Sequence, residues 1–199
     1  MRAYNKAEHE IESERPTPLY NIVLYRACKA LALQLKIEVT DAEAKAFAAS
    51  IADWPAFPDT VSALQKLAKH YHLIVLSNVN NDAFVHTRAK LENGFKFAAV
   101  LTAEDIGTYK PDENNFRYML EKAKQMPGVE KDEDVLVTAN SLFHDHVPAQ
   151  KIGLRSSWIS RSATIGQIEG VKYDFRFTTL EDMADALVKE YEAEGNKLE

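Results

Sequence analysis

The sequence predicts an α/β fold: a doubly wound, Rossmann-like parallel sheet over residues 56–199, preceded by a small helical cap region over residues 1–55. Three observations carry this reading. Beyond residue 58, short apolar runs such as "LIVLS" at 73–77 and "DVLVT" at 134–138 alternate with helical periods, the pattern of parallel strands buried on both faces. Upstream of that point the periods are helical only. Between the two, "DWPAFPDT" interrupts the pattern with two prolines.

The elements follow in order. Leu19, Ile22, Val23, Tyr25, Leu31, Leu33 and Leu35 form a broad apolar stripe over residues 19–36. Thr40, with Glu43 three residues on, is a capping box for a helix running to about Ala52. Asp59 can cap a helix over 60–69. Strand 73–77, helix 82–92 and strand 98–101 come next, followed by the connector "EDIGTYKPD". Pro111 suits the first turn of a helix over 112–125. Strand 134–138, helix 146–152, strands 154–159 and 173–177, and helix 179–193 complete the chain. The acidic end "KEYEAEGNKLE" reads as a solvated, fraying helix terminus, and the Asp-Glu-Asp run at 132–134 precedes a strand and reads as a solvated turn.

With 199 residues, 46% hydrophobic and 27% charged, the chain suits one medium domain or a core with a small appendage. A net charge of −6 argues against nucleic-acid and anionic-membrane partners, which need a cationic surface. Cys28 is the single cysteine, so no intrachain disulfide forms; its place in a helical pattern makes it a buried structural thiol. No window reaches 18 apolar residues, and the first stretch is too polar for a signal peptide, so a cytoplasmic location is expected.

In a doubly wound sheet the ligand site lies beyond the carboxyl ends of the strands. Ser77 and Asn78 end one strand where the N–H groups of the next helix point, a place suited to an anion. Lys110 lies in the connector after the next strand. "TANSLFHD" follows a third strand and brings Asn140, Ser141 and Asp145 to the same edge. His144 and His146 flank Asp145, but i and i+2 do not share a helix face, which argues against a two-histidine metal site.

The order strand–Ser-Asn, Tyr-Lys-Pro-Asp, strand–Asn-Ser-x-x-x-Asp resembles the haloacid dehalogenase superfamily, and within it the metal-independent 2-haloacid dehalogenases and their fungal-type relatives. The resemblance runs from about Pro16 to Leu187 and includes the helical segment "PLYNIVLYRACKALALQL" and the return "WPAFPDTVSALQKL". It implies hydrolysis of a small 2-haloacid or related acid, without metal or cofactor. Ser77 and Asn78 would hold the substrate carboxylate, with Asn140 and Ser141 beside it. Lys110 would stabilise the nucleophile and the developing charge, and Asp145 would supply the acid of the fourth motif. The partner implied is a small carboxylate or other small anion; a homodimer is left open.

Three departures qualify the resemblance. The family's nucleophile is an aspartate in a hydrophobic-Asp-x-x-Gly-Thr-Leu stretch closing the first strand, and this sequence contains no such stretch. The equivalent strand would lie upstream of Met1, leaving a slot between the Ser77 strand and strand 134–138, and no resident acid is expected between Ser77, Lys110 and Asp145. Catalysis is therefore expected to be impaired. In addition, Asn140 stands where the phosphatase branch has a Mg²⁺-binding acid, and Phe116 where the dehalogenase pattern has a tyrosine. Three other readings remain. The first is a non-catalytic anion-binding or interaction module. The second is a Mg²⁺-dependent phosphatase, and the third a Ser77–His144 hydrolase, which lacks a Gly-x-Ser-x-Gly elbow.

Overall fold

The computed structural model describes residues 2–14, 17–161 and 168–195. Its first element is a helix that the polar opening sequence did not suggest, α1 (Arg2–Glu12). Tyr4, Glu8, Ile11 and Glu12 recur at helical spacing along it, so its packed stripe is half acidic. That stripe finds its partner in α2 (Tyr20–Leu35): Ile11, Val23 and Ala27 form one buried cluster, with Tyr4 and Tyr20 against it. The buried residues of α2 are Val23, Leu24, Ala27 and Ala32, whereas Cys28 is only half-buried.

α3 (Asp41–Ala49) begins as its sequence dictates. The Glu43 N–H donates to Thr40 Oγ1 at 3.2 Å, and the Thr40 N–H donates to Glu43 Oε2 at 2.8 Å. The helix then tightens into a 3₁₀ turn over Ser50–Asp53. Leu24, Ala48 and Ile51 pack with Ala83, so the helical region rests directly on the α/β region beyond residue 58.

α4 (Thr60–Leu67) starts after Asp59, but the Asp59 side chain does not cap it. That carboxylate turns instead to Arg161 in a bidentate pair, with Nη1–Oδ1 at 2.7 Å and Nη2–Oδ2 at 2.8 Å, and also accepts from the Leu180 N–H at 2.9 Å. A guanidinium fork matches a carboxylate better than one helix N–H does, so the long-range partner wins.

β1 (Ile74–Ser77), α5 (Asn81–Leu91) and β2 (Ala99–Thr102) form a parallel crossover, with Ser77 beside Thr102 at the strand ends. After the short α6 (Ala103–Ile106), α7 (Glu113–Ala123) is capped by Asp112, which accepts from the Asn114 N–H at 2.9 Å; Pro111 lies just outside the helix. β3 (Leu136–Ala139), a π-helical turn over Leu142–His146, α8 (Val147–Lys151), β4 (Arg155–Ile159) and β5 (Phe175–Phe177) come next, and α9 (Leu180–Gly195) closes the described chain. The last residues of the acidic terminus lie outside the described residues.

All strand pairings are parallel, but they make two sheets, β1-β2 and β3-β4-β5. Among the described residues no strand pairs with the second edge of β1 or of β3. One apolar cluster nevertheless serves both halves: Leu101 from β2, Phe116, Met119 and Leu120 from α7, and Val137 from β3, with Leu76 against it. Phe116 is fully buried there, an apolar packing role that needs no hydroxyl. The carboxyl ends of β1 and β3 thus sit above a shared α7, and polar side chains bridge them.

Candidate functional site

Lys110 is that bridge. Its Nζ donates to the Leu76 carbonyl oxygen of β1 at 2.8 Å and to Asp145 Oδ1 at 2.6 Å. Both side chains of the pair are only 12% exposed. Asn78 holds the lysine backbone from both sides: the Lys110 N–H donates to Asn78 Oδ1 at 2.8 Å, and Asn78 Nδ2 donates to the Lys110 carbonyl at 3.1 Å. Strand end, connector and third-strand turn therefore converge, as the sequence order implied.

Asp145 reaches the cluster from an unexpected element. The sequence suggests the start of an α-helix; the backbone there is a π turn in which the Val147 N–H reaches back to the Leu142 carbonyl. Pro148 comes next and has no N–H to continue an α-type ladder backwards, so the wider turn is the local solution. Ser141 opens the turn by accepting the His144 N–H at 3.1 Å, and its Oγ lies 3.0 Å from His144 Nδ1. Burial is the main reason the His144 pKa lies below the usual range, so the ring is neutral near pH 7. His146 is fully buried, its ring nitrogens 3.0 Å from Ser156 Oγ and 3.1 Å from the Ala139 carbonyl. Asn140 faces β4: its Nδ2 donates to the Ile159 carbonyl at 2.7 Å, and its own carbonyl accepts Trp158 Nε1 at 3.0 Å. Asn140 and Ser141 thus bond within and beside the turn that carries Asp145.

Ser77 stands slightly apart. Its Oγ accepts a long 3.4 Å bond from the Val79 N–H, and the residue lines a cavity of about 220 Å³. Tyr20, Ile51, Trp54 and Phe84 contribute to the walls, so helical region and core share this cavity.

The structure adds a residue that the sequence did not place in the site. Glu12, at the end of α1, is 5% exposed. The Asn78 amide and the Lys110 ammonium favour its charged form, while Glu8 opposes it. Burial first, and Glu8 second, push its pKa up to about 8. Glu8 accepts the Tyr20 Oη hydrogen at 3.0 Å and is itself shifted upward by burial. The tyrosines around the acids, Tyr4, Tyr20 and Tyr109, are shifted above the usual phenol range, chiefly by burial and then by these carboxylates. Glu12 is thus a buried acid that the sequence reading did not single out. The available signal was the i, i+4 repeat of Glu8 and Glu12 on the stripe of Tyr4 and Ile11.

Residues 2–159 match the family model described as haloacid dehalogenase-like hydrolase. The chain belongs to this family. No match was found among curated protein sequences. Solved structures share the fold of this haloacid dehalogenase-like hydrolase at low identity. An L-2-haloacid dehalogenase is 19% identical with a TM-score of 0.73, over 94% of this chain and 80% of the other. The L-2-haloacid dehalogenase from Xanthobacter autotrophicus is 16% identical with a TM-score of 0.77, over 94% of this chain and 85% of its own. The HAD-hydrolase YfnB from Bacillus subtilis, a magnesium-bound structure, is 17% identical with a TM-score of 0.71, over 92% and 80%. The side chains of this family member do not fit a metal ion: no group of three or more His, Cys, Asp or Glu converges among the described residues, and Asp145 Oδ1 is engaged by Lys110. No helix among the described residues is long and apolar enough to cross a membrane.

Proposed function

We propose that this haloacid dehalogenase-like hydrolase binds a small carboxylic acid of the 2-haloacid class, with the acid in the cavity beside Ser77 and its negative charge drawn towards Asn78 and Lys110. In this reading residues 1–55 form the cap over a core of residues 56–199. The convergence of Asn78, Lys110 and Asp145 at the carboxyl ends of β1 and β3 carries the reading, because prearranged donors stabilise charge without reorganising. Asn140 and Ser141 serve it by shaping the turn that presents Asp145.

Hydrolytic dehalogenation needs a carboxylate that displaces halide from carbon, and then water that cleaves the resulting ester. This chain has no Asp-x-x-Gly-Thr stretch to supply that carboxylate. We therefore propose that the chain alone turns the acid over slowly at most, since loss of a nucleophile costs on the order of 10⁶-fold in turnover. A second reading, anion binding without chemistry, is favoured by the Lys110 ammonium, which already has two partners in Leu76 and Asp145. Halide release from 2-chloropropionate separates the two. Slow release abolished in Lys110→Ala supports the hydrolase; saturable binding with no halide supports the module. Neither binding nor release would remove both.

A further inference from the structure

Among the described residues, the cavity beside Ser77 has one charged residue in its lining, Lys90 of α5. Its Nζ donates to the Ala52 carbonyl at 2.6 Å and to the Trp54 carbonyl at 2.8 Å. An ammonium has three N–H donors, so these two bonds leave one unspent. Ile51, Trp54, Phe84 and Leu91 also line the space, so the charge lies against an apolar wall, where an ion pair is stronger than in bulk water. Lys110 stands differently: it is not part of this lining, and Asp145 answers its charge at 2.6 Å. Lys90 has no carboxylate partner among the described residues, so the uncompensated positive charge at the cavity is its own.

We propose that Lys90 is a ligand-contacting residue: its third N–H holds the carboxylate of the small acid bound beside Ser77, while the carbon chain of the acid rests on the apolar wall. The proposal rests on the reading that this cavity receives such an acid, and it names the group that makes the acid preferred over an uncharged analogue. Lys110 keeps its place at the strand ends, and Lys90 adds the charge that pairing with Asp145 takes from Lys110.

The same ammonium joins two regions. Its bonds to Ala52 and Trp54 hold the end of the 3₁₀ turn, and thus the helical region, onto α5. A carboxylate on the third N–H completes the bonding of the ammonium and fixes that segment more firmly. Coupling of this kind is reciprocal, so the docked segment strengthens binding as much as binding strengthens docking.

The test is calorimetric binding of propionate, and of propionamide as its uncharged analogue, to the whole chain at pH 7. The natural chain should prefer propionate by roughly tenfold or more, the scale of a hydrogen bond to a charged group. Lys90→Met, which keeps the aliphatic stem, should lose that preference. Lys90→Gln, which is neutral but still able to donate to a carbonyl, should lose it too and serves if the methionine variant does not fold. Lys90→Arg should keep most of it. Hydrogen exchange supplies the second readout: propionate should slow exchange of the backbone N–H groups of residues 50–54 in the natural chain and leave them unchanged in Lys90→Gln. A preference for propionate that survives in the neutral variants overturns the role of Lys90 and leaves the acid site standing. Equal loss of propionate and propionamide in those variants makes Lys90 a tether alone and likewise overturns it. Propionate bound by neither the natural chain nor the variants overturns the acid site and the role of Lys90 together.

Discussion

Two buried ion clusters in this molecule obey different rules. Asp59 and Arg161 form a closed pair: two parallel bonds, a backbone N–H from Leu180 on the spare lone pair, and the guanidinium 4.2 Å from the Phe57 ring centroid. The Asp59 carboxyl is held down to about 2, first by Arg161. Lys110 and Asp145 form an open cluster, because the buried acids Glu12 and Glu8 add to the acidic side and are shifted upward by burial. The first cluster ties the segment before α4 to the β4 end and to α9, and its balanced charge is what a structural clamp needs. The second gives up stability to keep a lysine and a protonatable acid in one place, which is the signature expected of a site.

The comparison breaks most visibly at Lys110. Lys110→Met strands the Asp145 carboxylate, and breaking a buried pair from one side costs about 3–5 kcal/mol, read as a lower midpoint in denaturant unfolding at pH 7. A variant as stable as the natural chain would mean that the open cluster is not under electrostatic load.

The two clusters also respond to pH with opposite signs. The Glu12 pKa in the fold lies above its unfolded value of 4.5, so its favourable contribution is complete below that value and is lost as pH rises through about 8. Between those limits stability should fall by about 1.4 kcal/mol per pH unit from this group. Glu12→Gln should therefore unfold at higher denaturant than the natural chain at pH 8.5, with the difference vanishing near pH 4.5. For Asp59 the folded pKa lies below 3.8, so its contribution is present above that value and fades as pH falls through about 2. Asp59→Asn should cost about 2 kcal/mol at pH 7 and close to nothing near pH 2, as followed by thermal unfolding in acid.

The smallest effect is expected at Ser77. Its one long bond to the Val79 N–H contributes little, so Ser77→Ala should leave unfolding within about 0.5 kcal/mol of the natural chain while weakening propionate binding. Equal losses in stability and binding would recast Ser77 as part of the scaffold.

Local pattern was legible wherever local forces decide. The Thr40–Glu43 box and the alternation of strands and helices depend on spacing along a few residues, and the structure reproduces them. The misplaced details share a cause. Asp59 leaves its helix for a guanidinium more than a hundred residues away, and Pro148 converts the expected helix start into a π turn.

By itself, the sequence determined most of the strands and helices beyond residue 19 and which polar residues end them, because backbone hydrogen bonding and apolar periodicity act over one or two turns. Only the tertiary structure decided that α1 packs on α2 and sets His9 against Phe143, that the parallel strands divide into two sheets, and that Glu12 lies buried. Burial and the neighbouring charge are properties of the packed whole, and they turn an ordinary surface-type glutamate into an acid that holds its proton at neutral pH.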